Sequence, residues 1–248
     1  MIDIYIKKKY LVDYLHGFSD MHSHILPGID DGVNNVKHAI YILRRLSAFG
    51  ISKYTATPHI MADVYPNTPQ SINNALDLLR EELKNQNLDE ISVKAAAEYM
   101  LDSNFENLLN KGNLLTLNND NYLLVELSYF QPPINLENTI YKIINCGYKP
   151  VLAHPERYNF YHNKFDYYSK LKEIGCSFQI NALSLNNYYG NSVKKTAFKL
   201  LKDGLIDFIG TDIHHAYHTR KLTDMIIPKK VISLLQPVIE NTKEKFSF

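Results

Sequence analysis

One pattern recurs along this chain and limits its fold more than any other: an amphipathic helix, a glycine that stops it, then a short apolar or β-branched run. Val36, Ala39, Ile40, Leu43 and Leu46 fall at helical spacing, Gly50 ends that helix, and Ile51 to Thr57 reads as a strand. The pattern returns with Leu136, Ile140, Ile143 and Ile144 before Gly147 and a strand from Tyr148 to Ala153, and with a helix ending near Ile174 before Gly175 and Ser177 to Ile180. Ser192 is expected to cap a helix carrying Val193, Ala197, Leu200 and Leu201 that closes at Gly204 before Leu205 to Gly210. Strands also fit Phe18 to His22, Val93 to Ala97 and Tyr122 to Leu127, and Ile72, Ala75, Leu76, Leu79 and Leu83 mark another helix. Some seven βα units imply an α/β protein with a parallel sheet, and that number suggests closure into a barrel; an open doubly wound sheet is the alternative. The 248 residues show no linker, so residues 1–17 read as an N-terminal extension and 18–248 as a single barrel domain.

Composition narrows the partners. A net charge of +1 with no long run of one sign argues against nucleic acid, and Lys7, Lys8 and Lys9 read as a solvated arm. No stretch is apolar enough to suggest secretion or membrane insertion. Two cysteines, Cys146 and Cys176, are too few for a disulfide framework and fit a reducing cytoplasm. Neither is followed six positions later by arginine, so thiol-based phosphate chemistry is set aside. No strand is followed by a G-x-G-x-x-G or Walker loop, so a nucleotide cofactor has no support.

Ligand-type side chains stand where the strands end: Asp20-Met21-His22-Ser23-His24, Pro58-His59, Glu98, Glu126, His154 and Asp212-Ile213-His214. In parallel barrels those ends converge on one face, which carries the active site. His22 and His24, two apart on a strand, share a face; Asp212 and His214 repeat that spacing. Asp31, beside Gly32, adds a carboxylate. Any one of these residues is more simply a packed histidine or an ion-pair partner; their coincidence at six strand ends points to a metal centre of oxygen and imidazole donors, suited to Mn, Fe, Zn or Mg. His16, His38, His162, His215 and His218 fall outside the pattern and read as surface residues. The paired tyrosines Tyr167-Tyr168 and Tyr188-Tyr189 fit either a peptide docking surface or, more simply, packing and ordinary exposure.

The stretch from Asp20 to Gly32, with Thr57-Pro58-His59, His154-Pro155-Glu156-Arg157 and Asp212-x-His214, resembles the polymerase and histidinol phosphatase (PHP) superfamily. It is most similar to that superfamily's bacterial tyrosine-protein phosphatases of the CpsB/YwqE type, which serve capsule and exopolysaccharide systems. The resemblance implies a distorted (β/α)7 barrel with three divalent metal ions. His22, His24, Glu98 and Asp212 would hold one; Glu98, Glu126 and His154 a second; Asp31, His59 and His214 a third. Glu126 stands where many members have histidine, which favours the tyrosine-phosphatase branch. Arg157 matches a phosphate-binding arginine in register; Arg220, the other candidate, follows His214 by six residues where the family has five. The family usually begins almost at its first strand, whereas some seventeen residues precede it here.

The implied reaction is hydrolysis of phosphotyrosine on a protein partner, a bacterial tyrosine kinase, by a metal-bridging hydroxide, with Arg157 neutralising phosphoryl oxygens. A small-molecule phosphatase acting on substrates like histidinol phosphate, a phosphodiesterase, and a non-catalytic module in which metals only stabilise the fold are the rival readings.

Overall fold

The computed structural model describes residues 8–248. Strands and helices alternate: β1 (Ser19–Ser23), α1 (Val36–Ser47), β2 (Lys53–Ala56), β3 (His59–Ile60), α2 (Pro69–Asn85), β4 (Ser92–Ala95), β5 (Glu98–Met100) and α3 (Phe105–Lys111). Then come β6 (Tyr122–Glu126), α4 (Leu136–Asn145), β7 (Lys149–Ala153), α5 (Phe165–Glu173), β8 (Ser177–Asn181), α6 (Asn191–Lys202), β9 (Phe208–Gly210), α7 (Ala216–Thr223) and α8 (Lys229–Phe246).

Local chemistry sets these boundaries. Asn35 caps α1 by accepting the His38 N–H, and Thr68 caps α2 ahead of Pro69, whose fixed φ suits a first turn. Gly50, at φ +79°, turns the chain from α1 toward β2 in a conformation that costs other residues strain. The expected cap at Ser192 is displaced: α6 begins one residue earlier, and Ser192 lies within its first turn.

Every strand pairing is parallel, in a three-stranded sheet β1-β2-β4 and a six-stranded sheet β3-β5-β6-β7-β8-β9. Two expected strands, Ile51 to Thr57 and Val93 to Ala97, end slightly early, and each is followed by an unexpected short strand in the other sheet. Thr57-Pro58 separates β2 from β3, where proline has no N–H for the ladder, and Ala96-Ala97 separates β4 from β5. The strands follow sequence order throughout, which rules out the doubly wound alternative, whose order reverses. Past its end, β9 returns to β1: the Asp212 N–H donates to the His22 carbonyl at 2.9 Å and the His24 N–H to the Ile213 carbonyl at 2.9 Å.

Alternation along the strands separates two apolar clusters. Met21, Leu124, Val151, Ala153 and Phe208 meet Phe246 of α8 in a small one, while Leu123, Val125 and Leu152 face the larger one shared with the helices. Lys8 and Lys9 are exposed, as expected of an arm; Lys7 lies outside the described residues. Within the extension Leu11, Val12 and Leu15 are buried, and the Leu11 N–H donates to the Met225 carbonyl at 2.8 Å. Among the described residues no helix is long and apolar enough to cross a membrane.

Candidate metal centre

The strand ends bring all nine proposed ligands together. Glu98, first residue of β5, lies at the middle: its Oε2 is 3.2 Å from His22 Nε2, 3.3 Å from His24 Nε2 and 3.3 Å from His59 Nδ1, and its Oε1 is 3.0 Å from His154 Nε2. Asp212 Oδ1 stands 3.4 Å from both His22 Nε2 and His24 Nε2. Glu126 Oε1 is 2.6 Å from His59 Nδ1, while Asp31 Oδ1 is 3.3 Å from His59 Nε2 and 3.5 Å from His214 Nε2.

These atoms form four overlapping sets, each within 4.8 Å: His22, His24 and Asp212; His22, Glu98 and His154; His59, Glu98 and Glu126; and His24, Asp31, His59 and His214. The grouping differs in part from the expected one, because His59 reaches Glu98 and Glu126 through one nitrogen and Asp31 through the other. His154 and Asp212, each just past a strand, have positive φ of 35° and 51°. Left-handed backbone at two non-glycine residues in one site is strain of the kind found where side chains are held for function.

Burial and charge oppose each other here. Burial pushes the Glu126 carboxyl up to about 7, helped by the neighbouring Glu98 charge. Burial lowers the His154 imidazole to about 4. Burial also works against charge on His22, but the carboxylates of Glu98 and Asp212 outweigh it and its pKa stands raised. Burial would raise Glu98 likewise, yet the surrounding imidazoles, His22 foremost, hold it well below the usual carboxylate range.

A second ring of residues orients the first, and most of it carried no sequence signal. The Gln179 amide nitrogen donates to the Ile180 carbonyl and to Asn181 Oδ1, which turns its oxygen to within 2.7 Å of His22 Nδ1. Asp30 Oδ2 lies 2.8 Å from His24 Nδ1, and Asp30 Oδ1 accepts the Gly32 N–H. The sequence reading singles out Asp31 and gives Asp30 no role; the turn at Gly32 sends Asp31 toward the cluster and Asp30 behind His24.

A cavity opens over this centre, lined by Asp31, His59, His154, Asp212 and His214 together with Tyr129, Arg157, Tyr188, Tyr189 and His218. Arg157 Nη1 donates to Asp212 Oδ2 at 3.1 Å, and its guanidinium is stacked between Tyr129 and Tyr189, 4.6 and 4.4 Å from the ring centres. Arg220 is not brought there. It is exposed, 3.6 Å from Asp224 one helical turn on, and lines a neighbouring hollow with Tyr217 and Lys221. His16 and His38 are exposed, as expected; His215 is exposed too but also lines the cavity beside His218. His218 is buried, contrary to the surface reading, and His162 is half-buried with Nε2 2.7 Å from the Glu156 carbonyl. Tyr168 packs in the core, while Tyr188 and Tyr189 wall the cavity.

Residues 18–227 match the family model for capsular polysaccharide synthesis proteins CpsB/CapC. The chain belongs to the CpsB/CapC family. Among its relatives, the tyrosine-protein phosphatase YwqE of Bacillus subtilis is 32% identical over 206 residues, 82% of this chain and 81% of that protein. The tyrosine-protein phosphatase CpsB of Streptococcus pneumoniae is 26% identical over 201 residues, 79% of this chain and 82% of that protein. The fold matches a crystal structure from work on YwqE and S. pneumoniae CpsB, described as unique metal-dependent tyrosine phosphatases, with a TM-score of 0.79, 29% identity, and 92% and 93% of the two chains covered. The α/β architecture of parallel strands is thus that of the CpsB/CapC fold, and the convergent cluster lies at the strand ends of a CpsB/CapC protein.

Proposed function

We propose that this CpsB/CapC chain is a cytoplasmic, metal-dependent tyrosine-protein phosphatase acting on a bacterial tyrosine kinase of capsule or exopolysaccharide synthesis. Its relatives are enzymes named for that activity. One observation in the site carries the metal reading. Gln179 Oε1 and Asp30 Oδ2 accept from Nδ1 of His22 and His24, and in the neutral rings this leaves the two Nε2 lone pairs facing each other across 3.2 Å, beside Glu98 and Asp212. Two lone pairs and two carboxylates in a buried space repel unless a cation lies among them.

The donor set fits such cations. It offers only imidazole nitrogen and carboxylate oxygen, and several of these buried atoms, including Glu98 Oε1 and Glu126 Oε1, have no hydrogen-bond partner. His22, His24, Asp31, His59, Glu98, Glu126, His154, Asp212 and His214 would hold up to three divalent ions. When bound, such ions supply an activated water as nucleophile and neutralise charge on the phosphoryl group.

The chain's own residues supply the rest. Arg157 presents a planar fork to the phosphoryl oxygens, and stacking between Tyr129 and Tyr189 holds that plane and keeps water off its faces. Asp212 Oδ2 fixes one end of the guanidinium and leaves the remaining N–H groups for substrate. No thiol competes as nucleophile: burial pushes Cys176 up to about 12, and Cys146 is an exposed residue outside the cavity.

Metal analysis paired with phosphotyrosine-peptide and histidinol-phosphate assays, on the wild type and His22→Ala, tests this reading. The expected result is peptide turnover that falls with metal content in the variant. Histidinol phosphate turnover without peptide turnover would replace the substrate assignment, and a metal-loaded protein inert toward aryl phosphates would make the chain a binding module.

A further inference from the structure

We propose that Tyr188 is a substrate-contacting hydrogen-bond donor for the ester oxygen of the phosphorylated tyrosine, aimed by His218. The inference rests on the phosphatase reading above and adds a group that acts at the leaving side of the reaction.

Hydrogen-bond bookkeeping at His218 leads there. The backbone N–H of His214 donates to His218 Nδ1 at 3.2 Å, so that nitrogen offers a lone pair and the imidazole proton sits on Nε2. His218 Nε2 is 2.7 Å from the Tyr188 hydroxyl oxygen and therefore donates to it. A phenol that accepts in this way keeps its own proton for another partner, and among the described residues no other group bonds that hydroxyl. His218 is buried and its ring meets Tyr188 edge to face at 4.9 Å, so the phenol is held in direction as well as in protonation.

Position decides which substrate atom is met. Tyr188 lines the cavity over the metal centre and also a neighbouring hollow formed with Asn186, Asn187, Tyr217 and Lys221. Tyr188 is half-buried, whereas His154 and Asp212, which line the same cavity, and Glu98 beside them are buried. A phosphotyrosine side chain entering from solvent with its phosphoryl oxygens against those buried residues puts its ester oxygen nearer the half-buried phenol. Negative charge grows on that oxygen as the P–O bond lengthens, and a positioned O–H stabilises it there more than in the ground state. Tyrosine and the departing phenol share a pKa of about 10, so a hydrogen bond suffices and full proton transfer is not required.

The test is a leaving-group series. Wild type, Tyr188→Phe and His218→Phe are assayed on aryl phosphates running from p-nitrophenyl phosphate to phenyl phosphate, and on a phosphotyrosine peptide, with metal content and Tm measured for each. Loss of one hydrogen bond to a developing charge should lower kcat/KM of Tyr188→Phe about tenfold for phenyl phosphate and the peptide, and much less for p-nitrophenyl phosphate, whose phenolate leaves unaided. His218→Phe should steepen the same dependence with bound metal unchanged, which a purely structural role would not do. An equal loss across the series, or no loss, overturns the inference and leaves the phosphatase reading intact. A wild type inert toward every aryl phosphate overturns that reading itself.

Discussion

His59 Nδ1 lies 2.6 Å from Glu126 Oε1, and these two buried atoms make no hydrogen bond. With Glu98 Oε2 at 3.3 Å from the same nitrogen, three metal-ligating atoms crowd one point. A cation among these atoms would relieve such crowding, and close donor atoms recur in each overlapping set of the cluster.

Stripping divalent ions should therefore cost stability as well as turnover. Ions held a thousandfold above their Kd add about 4 kcal/mol, which for a chain of this size corresponds to a Tm fall of about 10 °C on chelation. Scanning calorimetry before and after chelation and readdition measures it; an unmoved Tm would overturn the metal assignment.

Asp30→Ala and Gln179→Leu should each weaken metal binding or activity about 10- to 100-fold, because each removes the acceptor that fixes the tautomer and orientation of His24 or His22. Metal titration followed by peptide turnover reads the loss, and wild-type affinity in both variants counts against the orienting role.

Arg157→Lys keeps the charge but loses the planar fork and the stack between two tyrosines, so kcat/KM should fall about 100-fold. Arg220→Ala should stay within about threefold, since that guanidinium stands outside the cavity and pairs with exposed Asp224. Steady-state kinetics on a phosphotyrosine peptide compare the two; an Arg220→Ala defect as large as that of Arg157→Lys would falsify the separation.

Gly210→Ala should destabilise by about 1–3 kcal/mol through overpacking. A methyl at Gly210 would lie 2.7 Å from His22 Cβ and 3.1 Å from Gln179 Nε2, so His22 and the amide that orients it must both shift. Urea unfolding and metal content report the two effects, which should appear together.

Glu156 carries a pH prediction. Burial pushes its carboxyl up to about 7, against the Ser184 hydroxyl and Asn181 N–H that its Oε1 accepts. The folded state then holds a proton that the unfolded chain releases near 4.5, so this group's contribution falls as pH rises from about 4.5 to about 7. Glu156→Gln, neutral throughout, should gain on the wild type by about 2.5 kcal/mol between pH 5 and pH 8. Unfolding curves at both pH values test it, and a constant gap sinks it.

Much of this was legible in sequence because it is local or periodic. The helix, glycine and strand pattern is written in successive residues, and its stops at Gly50, Gly147, Gly175 and Gly204 all adopt positive φ. Ligands at strand ends could be gathered on paper because parallel strands share a direction. The breaks at Thr57-Pro58 and Ala96-Ala97 were not legible, since each is a change of hydrogen-bonding partner that depends on a neighbouring strand. Helix α8, whose Phe246 packs against Phe208 and Tyr122, left no mark in the pattern that was read.

The chain alone settles which residue types stand at the ends of its strands, because periodicity and composition belong to the sequence. Only the tertiary structure decides what stands behind them: that Asp30 rather than Asp31 backs His24, that Gln179 backs His22, that His218 is buried against Tyr188, and that Arg157 rather than Arg220 enters the cavity. Each is a contact between segments far apart in sequence or a turn that sends adjacent side chains opposite ways, and such relations arise from packing, which no local pattern encodes.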